Sequence, residues 1–241
     1  MGNKITAVIL FAMIFISAVG SIYVLAPGDQ KIFSYKQVRV TNQVVVNTSK
    51  LNLKFEAHYE ERKSQFEHLS ESHMNSIVML GDSLTEGCAW NELSHRDDLS
   101  NYGIAGDTSF GVLHRLDNLS PEINKVFIMI GSNDLGYGES VEYVFSNYKK
   151  IIEILEIRGI KPYIQSVLYV GMFDRSKRDN VDIAKLNHLI FKFAMKKDIV
   201  FIDLNKLLAP NGVMNEEYTT DGVHINEKAY KIWVENIKQY F

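Results

Sequence analysis

Ser83 stands in Gly81-Asp82-Ser83, directly after the apolar run Ile77 to Leu80, and Asp221 and His224 stand three residues apart in Thr220-Asp221-Gly222-Val223-His224. A serine hydroxyl is a weak nucleophile at neutral pH. It attacks a carbonyl when a histidine takes its proton, and that histidine is in turn oriented by a carboxylate. One loop supplies both partners. The charge that develops on the attacked carbonyl oxygen needs hydrogen-bond donors already in place. The backbone N–H groups of Ser83 and Gly106 and the side-chain amide of Asn133, in Gly131-Ser132-Asn133-Asp134, are the candidates. Each residue also has a purely structural reading: Ser83 as a turn or helix-cap residue, Asp221 and His224 as caps of the last helix, Asn133 as an Asx-turn, Gly106 for its backbone torsion alone. Asp82, Asp107 and Asp134 flank these positions as organisers of the loops.

The elements that must bring these residues together follow from hydrophobic patterning. Ile77 to Leu80, Val126 to Ile130, Tyr163 to Leu168 and Ile199 to Ile202 are short, continuous apolar runs suited to strands buried on both faces, and Ser100 to Ile104 precedes the Gly106 loop. Between them, Val141, Val144, Tyr148, Ile151, Ile152 and Leu155 mark one face of a helix ending at Gly159, and Ile183, Leu186, Leu189, Ile190 and Phe193 mark another. Asn226 caps a last helix carrying Ala229, Trp233, Ile237 and Tyr240. Strand and helix in alternation specify an α/β domain with a mostly parallel sheet, whose reactive loops lie at the carboxyl ends of the strands.

Four blocks in order, Gly81-Asp82-Ser83, Gly106, Gly131-Ser132-Asn133-Asp134 and Asp221-Gly222-Val223-His224, resemble those of the SGNH, or GDSL-type, hydrolases. The resemblance spans about residues 76–241. It implies a three-layer α/β/α, flavodoxin-like fold. It further implies Ser83 as nucleophile, His224 as general base, Asp221 as its orienting acid, and an oxyanion hole from Ser83, Gly106 and Asn133. Asn101 to Leu116, together with Trp90, is similar to the platelet-activating-factor acetylhydrolase and bacterial acetylesterase subset, which implies short acyl groups. The expected activity is serine-dependent hydrolysis of a carboxylic ester, most simply removal of acetyl from a glycan or small molecule, without a cofactor. A lysophospholipase or thioesterase, an acyltransferase and a non-catalytic membrane-tethered binding module are the alternatives.

Composition narrows the partners. Lys and Arg total 26 against 29 Asp and Glu, a net charge of −3, so the chain lacks the basic excess with which nucleic-acid binders neutralise phosphates. The single cysteine, Cys88, excludes an intramolecular disulfide and a Cys-rich zinc site; it is read as buried, and no histidine spacing suggests a metal. Ile5 to Ala26 runs 22 residues without a charge, about 33 Å as a helix and enough to cross a bilayer. Residues 1–28 are therefore expected to be a signal anchor or a signal peptide, with the length favouring the anchor and the catalytic domain outside the cytoplasm. Residues 29–75 are read as a connector preceding a 76–241 hydrolase domain. In the connector Val38 to Val46 suggests a strand, and Phe55, Tyr59, Arg62, Phe66 and Leu69 form a narrow helical stripe that docks on the domain or acts as a stalk. His58, His68 and His73 are read as solvated.

Overall fold

The computed structural model describes residues 56–68, 76–174, 176 and 178–241, all within the compact unit Lys54–Phe241. The hydrophobic segment 5–26 and the expected strand 38–46 lie outside the described residues. Among the described residues no helix is long and apolar enough to cross a membrane.

Five strands, β1 (Ile77–Gly81), β2 (Leu99–Gly103), β3 (Lys125–Met129), β4 (Lys161–Gln165) and β5 (Val200–Ile202), form a parallel sheet in the order β2-β1-β3-β4-β5. Alternation along each strand divides the core in two. Val78, Leu80, Val126 and Ile128 face one layer, and Ile77, Met79, Phe127 and Met129 face the other, all at 1 % exposure or less. On the first side pack a helix over 56–68 (α1), α4 (Ser109–His114), α6 (Val141–Ile157) and α7 (Asn180–Lys196). The second side holds α3 (Trp90–Ser94), α8 (Asn205–Leu208) and α9 (Glu227–Ile237), with Trp90 and Trp233 edge to face at 5.1 Å. The short α2 (Ser83–Glu86) and α5 (Ser132–Gly136) follow β1 and β3 directly. The layering is α/β/α.

Local signals set the helix boundaries. Ser140 caps α6 by accepting the Tyr143 N–H at 3.1 Å, Asp179 caps α7 through Val181 N–H at 2.8 Å, and Asn226 caps α9. The apolar run 163–168 leaves the ladder at Gln165, earlier than its hydrophobicity suggests. β5 is only three residues long, and beyond it side chains replace a neighbouring strand. Asn187 takes the Val167 N–H at 2.8 Å and Asn205 takes the Tyr169 N–H at 2.9 Å. In the connector, Phe55 and Leu69 of the expected stripe lie outside the described residues, and Phe66 is fully buried and stacks on Tyr102 at 4.3 Å.

Candidate active site

Because β1 lies between β2 and β3, the loops that follow these three strands adjoin at the carboxyl edge of the sheet. The loop after β1 holds Asp82, whose carboxylate caps α2 by accepting the Leu84 N–H at 3.0 Å. Ser83 is the first residue of that helix, where a backbone N–H has no intrahelical acceptor and points outward. The loop after β2 holds Gly106 at φ +79°, a left-handed torsion that costs glycine nothing. The loop after β3 becomes α5 and carries Asn133.

Asp221 and His224 come from the opposite end of the sheet, and two contacts bring them back. Gly171, past β4, donates its N–H to Gly222 O at 2.7 Å, and Tyr230 of α9 donates to Leu84 O at 2.9 Å. Gly222 has φ +88°, and a Cβ there would meet Asp174 N at 2.7 Å, so a side chain at this position would push the histidine loop away. The result is a connected triad. Ser83 Oγ lies 3.0 Å from His224 Nε2, and His224 Nδ1 lies 2.6 Å from Asp221 Oδ2. Asp221 Oδ1 accepts the N–H groups of Val223 at 2.8 Å and His224 at 2.7 Å, which locks the loop around its carboxylate. Partial burial works against the ionised form, but the bond from the His224 ring and those from the two backbone N–H groups prevail and hold Asp221 down at about 2. The triad is open to solvent, with the His224 side chain 52 % and the Asp221 side chain 51 % exposed.

Asn133 is buried and its amide orientation is determined by its neighbours. Arg178 Nη2, which can only donate, lies 2.7 Å from Asn133 Oδ1, and Asn133 Nδ2 donates to Asp107 O at 2.9 Å. Nδ2 therefore faces the Gly106 loop and retains a second hydrogen. Arg178 Nε also bonds Ser132 Oγ at 3.0 Å. Beneath this lies a buried polar floor. Arg115, 1 % exposed, donates to Asp107 Oδ2 at 2.8 Å and to Gly81 O at 3.0 Å, so one guanidinium ties the nucleophile turn to the Gly106 loop. Asp134 accepts the Ser109 hydroxyl at 2.6 Å and the Ser109 N–H at 2.9 Å. Burial pushes Asp82 up to about 7, outweighing the Leu84 N–H, so near neutrality much of it carries a proton. That limits the negative charge next to the place where an oxyanion would form.

The structure thus brings Ser83, Asp221 and His224 together and sets Gly106 and Asn133 around the nucleophile turn. Asp82, Asp107 and Asp134 bond to the loops, and Cys88 is buried. His58 departs from the solvated reading: its Nε2 lies 3.0 Å from Glu86 Oε1. Sequence reading missed Arg178, Arg115 and Glu86. For Arg115 a signal existed, since it shares the spacing of the buried Val112 and Leu116. Beside the triad an open cavity of about 470 Å³ is lined by Phe173, Asp174, Ser176, Arg178, Val223 and the two triad residues of the last loop. A larger one, about 650 Å³, lies by β5 and α7 and contains no triad residue. Among the described residues no group of His, Cys, Asp and Glu is placed to hold a metal ion.

Comparison with known proteins follows the same lines. The chain is 32 % identical over 171 residues to the N-acylneuraminate cytidylyltransferase of Streptococcus agalactiae serotype V, a match covering 68 % of this chain but 40 % of that protein. The chain therefore spans less than half the length of that relative. It is 25 % identical over 169 residues to the platelet-activating factor acetylhydrolase IB subunit alpha2 of Gallus gallus, covering 64 % of this chain and 70 % of the other. A solved GDSL-like lipase from Bacteroides thetaiotaomicron superposes with a TM-score of 0.65 at 26 % identity, over 76 % of this chain and 97 % of that one. The family model described as GDSL-like lipase/acylhydrolase matches residues 79–232, a span that includes Ser83, Asp221 and His224, and this chain belongs to that family.

Proposed function

We propose that this chain hydrolyses a carboxylic ester of a short acyl group, acetyl above all, on a glycan or small-molecule alcohol, by way of an acyl-enzyme on Ser83. The observation that carries this reading is the continuous Ser83–His224–Asp221 line, at 3.0 and 2.6 Å. Ser83 Oγ attacks the ester carbonyl as His224 Nε2 takes its proton. Asp221 faces Nδ1 and stabilises the imidazolium that forms. The oxyanion is held by Ser83 N–H, Gly106 N–H and the remaining Asn133 Nδ2 hydrogen. His224 then returns the proton to the leaving alcohol, and water clears the acyl group by the same route.

Two features favour a short acyl group and a bulky alcohol. Each buried methylene of an acyl chain contributes ~0.8 kcal/mol only where an apolar surface receives it. The cavity at the triad is open to solvent, with Phe173 and Val223 as its apolar side chains, so it encloses little of a long chain. Exposure of His224 and Asp221 leaves space for a large leaving alcohol such as a sugar. Hydrolysis of p-nitrophenyl acetate, butyrate and palmitate by the full chain and its Ser83→Ala variant tests this. Serine-dependent turnover favouring acetate supports the reading. A preference for palmitate points instead to a longer-chain acylhydrolase, and the absence of serine-dependent turnover to a transferase or binding role.

Asn133→Ala is expected to lower kcat by roughly 10² to 10³-fold with KM little changed, the scale of one lost oxyanion donor. Unaltered steady-state kinetics in that variant would remove Asn133 from the mechanism. We further propose that residues 5–26 tether the chain to a membrane, with the catalytic domain outside the cytoplasm. Support comes from 22 uncharged residues. Protease added to intact cells should then degrade the C-terminal domain, and full protection would reverse the orientation.

A further inference from the structure

Helix α1 precedes the 79–232 span of the family match, yet its side chains reach the loops that carry the proposed chemistry. Glu86 is where they meet. It is the last residue of α2, whose first residue is Ser83, and its Oε2 accepts the Ala105 N–H at 2.6 Å. Ala105 directly precedes Gly106. One carboxylate therefore ties the nucleophile helix to the loop with the proposed oxyanion donor.

That carboxylate is gripped from α1. His58 Nε2 lies 3.0 Å from Glu86 Oε1 and 3.2 Å from Oε2. Arg62 Nε lies 3.3 Å from Oε1, at ion-pair distance though not aligned for a hydrogen bond, and Arg62 Nη2 donates to Asn101 O and Gly103 O at 3.4 Å each. Three further contacts seat the helix: Tyr59 OH donates to Gly111 O at 3.1 Å, Asn118 Nδ2 donates to Lys63 O at 3.3 Å, and Phe66 stacks on Tyr102. The Glu86 side chain remains 22 % exposed, so without these two partners it can turn to water and release the Ala105 N–H.

We infer that α1 is a working part of the active site: His58 and Arg62 fix the Glu86 carboxylate, and through it the Ala105–Gly106 peptide of the oxyanion loop. This rests on the proposed role of Gly106 as an oxyanion donor. Glu86, His58 and Arg62 are positioning residues and do not touch substrate. An oxyanion forms only on the way to the tetrahedral intermediate, so loosening its donor lowers kcat and leaves KM in place.

The test compares Glu86→Gln, Arg62→Met, Arg62→Lys and His58→Ala in the full chain, with Glu61→Ala on the exposed face of α1 as control. Glutamine can still accept the Ala105 N–H, but its amide then turns donors toward His58 and Arg62. Glu86→Gln and Arg62→Met are expected to lower kcat about tenfold, less than loss of a donor itself, with KM within about twofold of the parent. Arg62→Lys should recover part of the loss, and Glu61→Ala should behave as the parent. Affinity for a boronic acid, which forms a tetrahedral adduct on the serine, should fall in step with kcat. Unchanged kcat in both Glu86→Gln and Arg62→Met, or a raised KM at constant kcat, would overturn the inference. If Arg62→Met unfolds, Glu86→Gln, which leaves α1 intact, decides alone. An inactive Ser83→Ala beside fully active Glu86 variants sinks only this inference, whereas an active Ser83→Ala sinks the catalytic reading beneath it.

Discussion

Ser83→Ala is expected to lower kcat by about 10⁴-fold or more, and His224→Ala by a similar factor. Alanine removes the atom that would form the acyl-enzyme, leaving a general base with nothing but water to activate. His224→Ala leaves the hydroxyl, without a base 3.0 Å away to take its proton. The two residues act in one step, so the double variant should be about as slow as the worse single one, a non-additivity that separates a triad from two independent binding residues. KM should move little, because neither side chain contributes much to ground-state binding, and the residual rate should reflect the oxyanion donors and positioning alone. Ser83 is the first residue of a short helix and is itself only partly buried, unlike Leu84 and Thr85 after it, so its replacement leaves the core intact. Loss of covalent labelling by a fluorophosphonate should accompany the loss of rate. Ser83→Ala turning over at near the parent rate would end the mechanism.

Asp221→Asn is expected to cost about 10³ to 10⁴-fold in kcat, below or at the value for a fully buried triad aspartate, because half of this side chain is in water. The cause is the tautomer of His224. A carboxylate at 2.6 Å accepts from Nδ1–H and leaves Nε2 free to take the serine proton. An amide nitrogen in the same place donates to Nδ1, which moves the ring proton to Nε2, where it faces Ser83 Oγ with a hydrogen instead of a lone pair. The asparagine oxygen can still accept the Val223 and His224 N–H groups, so the loop should hold its shape. The pH dependence separates this from unfolding. The carboxyl of Asp221 is held down at about 2, below its value in the unfolded chain. Its contribution to stability is thus fully present above about pH 4 and is lost as pH falls toward 2. The variant lacks this contribution at every pH, so it should melt somewhat below the parent at neutral pH while staying folded and slow, and the gap should close as the parent is acidified. A variant as fast as the parent would reduce Asp221 to a loop cap.

Much of this was legible in the chain. Continuous apolar runs with helical periods between them specify an α/β sheet, since strands buried on both faces have no polar face to show. Ser83, Gly106 and Asn133 stood out because each follows such a run, and a parallel sheet places those positions at one edge. Asp221 and His224 are three residues apart, so their bond is nearly local. Caps at Ser140, Asp179 and Asn226 are local as well, and they mark helix starts without reference to the rest of the chain.

The partners of the long side chains are another matter. Arg178 meets Asn133 across 45 residues, His58 meets Glu86 across 28, and Arg115 reaches back 34 to Gly81 O. Periodicity tells which face of a helix a residue occupies, not which chain segment will lie against it. The strand order that puts β1 between β2 and β3, and the Gly171–Gly222 contact that returns the histidine loop to the serine, come from packing the layers around one core. Hydrophobic burial chooses that arrangement but is indifferent to individual polar partners. Those partners are selected by directional hydrogen bonds, which exist only once the folded backbone has brought donor within about 3 Å of acceptor.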